Sequence, residues 1–251
     1  MSERLILKLG GSVITDKSAG CAVDKARLTS VAKAIAEAKS CDTVIIHGAG
    51  SCGHPEAKHY NLDRGVSAGT TDGIFVTHRA VSGLNDAVVA ALRNEGVAAL
   101  GVHPLHTGIA SNGRLVGFEC RQLETMLRLG MVPVIHGDVV MDLSKGACIV
   151  SGDQLVQYLA VALQISRVGL ATDVPGVLDR GVVVPQITRK MVPDLRIGHS
   201  SHTDVTGGMR GKIDELLGLA DAGIRSDIFH VSRIADFLKG SGTGGTIVRG
   251  D

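Results

Sequence analysis

The sequence predicts an α/β fold, a three-layer α/β/α sandwich around a largely parallel, open central sheet. Apolar runs of strand length alternate with helical patterns along the chain, which is the signature of βα units. The runs are continuously apolar rather than alternating, as expected of strands covered on both faces. A third observation locates a site. Gly, Ser, Thr and Asp recur directly after successive strands, and open parallel sheets bind ligands beyond the carboxyl ends of their strands.

Taken in order, strands are expected over residues 4–9 (RLILKL), 43–47 (TVIIH), 97–102 (VAALGV), 132–136 (VPVIH), 167–171 (RVGLA) and 227–231 (DIFHV). The first helix follows Asp24, a suitable N-cap, with Leu28, Val31, Ala32 and Ile35 on one face. A long helix is expected over residues 72–94, stopped by Gly96, where a left-handed C-terminal cap is natural. Further helices are expected near residues 119–129, 153–164 and 208–222, the last stopped by Gly223. No linker divides the chain, so residues 1–251 read as one domain with two functional lobes.

Composition narrows the function. With 44% hydrophobic and 20% charged residues and no low-complexity tract, the chain is globular. A net charge of +1, with scattered basic residues, gives no electrostatic footprint for nucleic acid. Aromatic residues are 2% of the chain, too few for base-stacking platforms. The N-terminal MSERLILKLGG has no cleavage-site pattern, and no run reaches the roughly 18 apolar residues of a membrane span. The five cysteines are widely spaced with no C-x-x-C pair, so neither a zinc site nor a disulfide framework is expected, and a cytoplasmic setting is the simplest. No protein metal ligands are predicted.

The loops after the strands carry the chemistry. KLGGS sets Lys8 before Gly10, Gly11 and Ser12, a point charge beside backbone N–H groups able to approach phosphate, although a surface Lys before a turn has the same pattern. It is not a Walker A loop. HGAGSCGHP, residues 47–55, contains G-x-G-x-x-G, yet no acidic residue stands about 20 positions on at the end of a next strand, as a dinucleotide site requires. A plain strand-to-helix turn remains open, as does an anion site in which His54 joins glycine N–H groups at a helix start. Gly137-Asp138 follows the fourth strand. SGDQL offers a capping motif in which Asp153 could also orient a lysine. TDVPGV sets Thr172, Asp173 and Gly176 after the fifth strand, and in TGGMRGK a glycine pair with Gly208 opens a helix carrying Lys212 one turn in.

The order K-x-G-G-S, G-A-G-S-x-G-H-P, S-G-D, T-D-V-P-G-V and T-G-G-M-x-x-K resembles the amino acid kinase superfamily over nearly the whole chain. Within it, GSxGHP and KLGGSVITDK resemble the isopentenyl phosphate kinases. The resemblance implies the amino acid kinase fold, with an acceptor lobe near residues 1–165 and a nucleotide lobe near 166–251. It implies MgATP and isopentenyl phosphate, or dimethylallyl phosphate and related monophosphates, as substrates, and a homodimer. Lys8, Gly10, Gly11, Ser12 and Gly50 would bind ATP phosphates, with Thr172, Asp173 and Gly176 by the nucleoside and Gly208 and Lys212 by its phosphates. Lys17 would stabilise the transferring group. Ala49, Gly50 and Gly53 would offer N–H groups, His54 would hold the acceptor phosphate, Gly152 would assist through its backbone, and Asp153 would orient the lysines. Phosphonate or carboxylate kinases of the same fold, and a non-catalytic nucleotide-binding module, are the alternatives. The family usually has Phe where this chain has Cys52, a change expected to enlarge the space near the acceptor. Ile74, Phe75 and Val76 are expected to wall an apolar tail pocket.

Overall fold

The computed structural model describes residues 3–16, 21–38, 42–62, 64–195 and 208–251. Its central sheet has eight strands, with Leu5–Leu9 near the middle. On one side lie Thr43–His47, Val132–His136 and Ala99–Val102, and on the other Arg167–Thr172, Arg225–His230, Thr246–Val248 and Gln186–Ile187. All these pairings are parallel except Arg225–His230 with Thr246–Val248. The order runs outward in both directions from Leu5–Leu9 and its neighbour Arg167–Thr172. That makes the crevice at their carboxyl ends the switch point where such sheets bind ligands.

Strand periodicity sorts the core into two faces. Ile6 packs with Leu155, Val156 and Leu159 of the helix Gly152–Ala162 and with Ile213 and Leu216 of the helix Gly208–Asp221. Leu5, Leu7 and Leu9 pack on the opposite face with Leu28 and Val31 of the helix Lys25–Ala38 and with Leu84 and Val88 of the helix Asp72–Asn94. Lys8 shares the face of Ile6, and that geometry directs it to the Gly152–Ala162 helix.

Helix signals in the sequence are good guides. Asp24 accepts a hydrogen bond from the Arg27 N–H at 3.0 Å, capping Lys25–Ala38 as expected. The predicted strands over residues 97–102 and 227–231 shift slightly, to Ala99–Val102 and Arg225–His230. A whole second sheet went unpredicted: Gly108–Ser111, Arg114–Phe118, Asp138–Asp142 and Gly146–Val150. Its turn at Asn112-Gly113 has φ of +51° and +80°, the two-residue geometry that Asn-Gly favours.

The expectation of no disulfide is overturned. Cys21 and Cys52 are bonded. The link joins the short hairpin of Thr15–Asp16 and Ala22–Val23 to the helix Gly50–His59. Cys52 is 2% exposed, within the core that holds Val13 and Ile14, and does not border the large cavity described below. Replacing Phe by Cys at this position therefore makes a crosslink rather than acceptor space. A cross-link of this loop length stabilises by about 2–4 kcal/mol, chiefly by restricting the unfolded chain. Reduction with a dithiol, or Cys21→Ser, is expected to lower the thermal midpoint by about 2–4 °C per kcal/mol lost in a chain this long; equal melting of oxidised and reduced protein would contradict the bond.

Candidate active site

The carboxyl ends of the central strands open into a cavity of about 760 Å³. It is bordered by Lys8, Gly11, Ala49, His54, Asp153 and Lys212 among others. These residues come from four separate sequence motifs, KLGGS, HGAGSCGHP, SGDQL and TGGMRGK, and the fold brings them to one place. Ser12, Gly10, Gly50, Gly53, Gly152, Thr172, Asp173, Gly176 and Gly208 border the same space. Lys17 lies outside the described residues.

Asp153 is the electrostatic centre. It is 8% exposed and sits in the first turn of its helix, where the unpaired N–H groups favour negative charge. Ser151 caps that helix by accepting from the Gln154 N–H at 3.2 Å. Lys8 Nζ donates to Asp153 Oδ1 at 2.5 Å, and Lys212 Nζ stands 3.9 Å from Oδ2. Lys212 Nζ also donates to Gly208 O at 3.3 Å. One carboxylate thus stands beside two lysines at the cavity, Lys8 from the first strand and Lys212 from the late helix.

The glycines act through close backbone approach. A Cβ on Gly11 would lie 2.5 Å from the Gly50 Cα, so the turn after the first strand and the turn after the second touch main chain to main chain. Gly50 has φ of +55°, and a Cβ there would strike Thr15. Thr15 ties the turns together: its Oγ1 donates to Gly11 O at 2.9 Å and accepts from the Ser51 N–H at 3.2 Å. No sequence signal marked Thr15. A Cβ on Gly152 would come within 3.3 Å of His47 O and Lys8 Cε. Gly53 differs from the expectation. Its N–H donates to Ala49 O at 3.3 Å within the helix, and what it contributes is room, since a Cβ would lie 2.6 Å from Val81.

His54 sits half-buried in the first turn of Gly50–His59, on the cavity, next to the N–H groups of Ala49 and Gly50 that a helix start leaves outside its own ladder. The far wall is made by Thr77 and Val81 of the Asp72–Asn94 helix with Ile149 and Val150 of the second sheet. The expected helix is correct but its expected residues are not. Phe75 is 64% exposed, and neither it, Ile74 nor Val76 borders the cavity. After the strand Arg167–Thr172, Thr172 Oγ1 donates to Val174 O at 2.8 Å, and Gly176 packs so tightly that a Cβ would lie 2.7 Å from Thr246 Oγ1. That same oxygen accepts from the Val177 N–H. Among the described residues, no group of three or more His, Cys, Asp or Glu is placed to hold a metal ion.

Near the ends of the strands Thr43–His47 and Val132–His136 lies a histidine cluster. Burial holds His47 below its ordinary value of 6.5. Burial, and secondarily the neighbouring His47, holds His136 well below it. His103 is also lowered, first by burial. His78 is raised, because it pairs with Asp138 at 2.9 Å, while burial raises Asp138 in spite of that partner. For His47 and His136 the folded value lies below the unfolded one. Their stability contribution is therefore complete above pH 6.5 and falls away below it, as the unfolded chain takes up protons first.

Comparison with known proteins agrees with this geometry. The model of the amino acid kinase family matches residues 3–230. An isopentenyl phosphate kinase of Haloferax volcanii is 43% identical, over 98% of this chain and 99% of its own. One from Methanothermobacter thermautotrophicus is 37% identical, over 98% and 99%. An X-ray structure of isopentenyl phosphate kinase superposes with a TM-score of 0.86 at 33% identity, covering 98% of this chain and all of that one.

Two outcomes are expected from the site. Gly11→Ala, by forcing the paired turns apart, should reduce phosphoryl transfer by about 100-fold, the scale of an ångström-level misplacement; normal kcat would contradict the contact. Thermal midpoints should fall as the pH drops below 6.5, because the unfolded chain takes up protons that the buried histidines resist; a flat profile would contradict burial of neutral rings. On these residues, this geometry and these relatives, the chain belongs to the isopentenyl phosphate kinase family within the amino acid kinase family.

Proposed function

We propose that the protein transfers the γ-phosphoryl group of ATP to isopentenyl phosphate, giving isopentenyl diphosphate and ADP. The observation that carries this reading is the position of His54 on the same cavity as the Lys8–Asp153–Lys212 group, with an apolar wall beyond it. A histidine and helix N–H groups suit an anionic phosphate head, and Val81, Ile149 and Val150 suit a short hydrocarbon tail.

The acceptor brings its own nucleophile. A phosphate oxygen of isopentenyl phosphate attacks the γ-phosphorus, and the bond from that phosphorus to the β–γ bridging oxygen breaks, leaving ADP. Because the attacking group is already an anion, no strong general base is required. The barrier is the approach of two anions, and the site lowers it by holding them in line and supplying cations and N–H donors where charge gathers. In this reading Lys8, Gly10, Gly11 and Ser12 hold the nucleotide phosphates, with Lys212 and Gly208 on their other side. Thr172, Asp173 and Gly176 flank the nucleoside, and Lys17 stabilises the transferring group. His54 holds the acceptor head beside Ala49, Gly50 and Gly152. Magnesium enters with the nucleotide, on whose phosphates such an ion is usually carried, and neutralises charge there. The reading also includes dimethylallyl phosphate as a second acceptor and a cytoplasmic homodimer.

ADP release with isopentenyl phosphate as the sole acceptor tests the reading directly, and no release would refute it. His54→Ala should lower kcat/KM for isopentenyl phosphate by about 100-fold, the scale of losing one donor to a developing oxyanion, while ATP affinity stays near that of the native protein; unchanged kcat/KM would remove the role given to His54. Lys17→Ala should lower kcat more than it weakens ATP binding, and a pure KM effect would contradict transition-state stabilisation.

A further inference from the structure

Two neighbouring strands end in the same three residues, Ile-His-Gly, in TVIIHGAG and VPVIHGDV. The strands are paired so that His47 lies opposite His136, and the two rings stack 5.7 Å apart. Both side chains are fully buried. Each turns its Nδ1 onto the carbonyl of the following glycine: His47 to Gly48 O at 3.0 Å and His136 to Gly137 O at 3.1 Å. A carbonyl only accepts, so each ring must carry its proton on Nδ1.

The outer nitrogen of His136 fits that tautomer as placed, and that of His47 fits it once the Asn85 amide is turned. His136 Nε2 lies 2.9 Å from His103 Nδ1, which can donate to it. His47 Nε2 lies 3.0 Å from the Asn85 amide, whose oxygen faces it, while Asn85 Nδ2 is buried with no partner. Turning that amide by half a rotation, an assignment made from the hydrogen-bond network in any case, gives Nε2 its donor and Asn85 Nδ2 its acceptor. Burial also keeps both rings neutral.

A trans peptide is planar, with its C=O and N–H pointing in opposite directions. Holding the Gly48 carbonyl down toward the buried His47 ring therefore turns the Ala49 N–H up, toward the cavity that Ala49 borders. Gly137 braces the same place, since a Cβ on it would lie 3.7 Å from the Ala49 N and 3.2 Å from the Gly152 N. Its own N–H donates to His47 O at 2.9 Å.

We propose that His47 is a positioning residue whose Nδ1–H locks the Gly48 carbonyl away from the site and so keeps the Ala49 N–H turned to the phosphate that the site receives, while His136 fixes the Gly137 turn packed against it. The proposal rests on the reading of the cavity as a phosphoryl-transfer site.

The test uses a difference in side-chain geometry. The amide nitrogen of Asn takes the position of imidazole Nδ1, whereas that of Gln falls at Nε2, away from the glycine carbonyl. His47→Asn should keep KM for isopentenyl phosphate within about threefold of native, and His47→Gln and His47→Leu should raise it about tenfold, the loss of one hydrogen bond to a charged group. A packing role predicts the reverse order, because Gln fills the space of His better than Asn. Retention by Gln equal to or better than by Asn, or no change in any variant, would overturn the proposal. If His47 variants fail to fold, the same series at His136 should show the same order, because its Nδ1–H fixes the Gly137 turn that packs against Ala49, and the reverse order there would overturn the proposal. Titration with inorganic phosphate, followed at the Ala49 amide by NMR, reads the same order with no acceptor turnover. If native protein releases no ADP with isopentenyl phosphate yet the Asn variant keeps and the Gln variant loses phosphate affinity, the substrate reading fails and the positioning role stands.

Discussion

The contact on which the site depends is Asp153 between Lys8 and Lys212. A site for two polyanions needs cations close together, but two buried ammonium groups repel each other and each loses hydration. One carboxylate between them answers both costs. Asp153 is itself held at a capped helix start, where the backbone N–H groups favour its charge. Lys8 comes from the central strand and Lys212 from the late helix, so the same contact fixes the two halves of the chain about their shared cavity. Removing the carboxylate would take away the counter-charge that the two cations share, a larger loss than the ion pair itself is worth.

Charge alone would not align the phosphates. Alignment comes from close main-chain packing at glycines: Gly11 against the Gly50 backbone, and Gly152 against the His47 carbonyl. Thr15 and the Cys21–Cys52 bond hold the hairpin against the start of the Gly50–His59 helix, next to His54. The loops of this site are therefore tied down at several points.

How much of this was legible in the sequence depends on the kind of signal. The parallel strands and their helices were, because continuous apolar runs and 3.6-residue periodicity are local. The placement of Lys8, His54, Asp153 and Lys212 was, because each sits beside a glycine or cap motif at a strand end. Contacts between distant segments were not. Cys21 and Cys52 are far apart in sequence, and nothing around either names its partner. Thr77 and Val81 look no more like cavity residues than Ile74 and Phe75, since facing depends on how the helix is rolled against the second sheet. That sheet was missed although Asn112-Gly113, a strong hairpin signal, lay in plain sequence.

The buried histidines show why neutral groups belong beneath a charged site. A protonated ring below the Ala49 turn would add attraction for phosphate, but its hydration would be lost whether or not substrate was bound. A neutral imidazole with one fixed N–H orients a carbonyl without adding charge. The site thus separates two tasks. Charged side chains at the cavity surface meet the anions, and uncharged rings under the glycines fix the backbone dipoles that face them. Cation strength can then vary with the occupant while the geometry does not, which suits a reaction whose barrier is positioning.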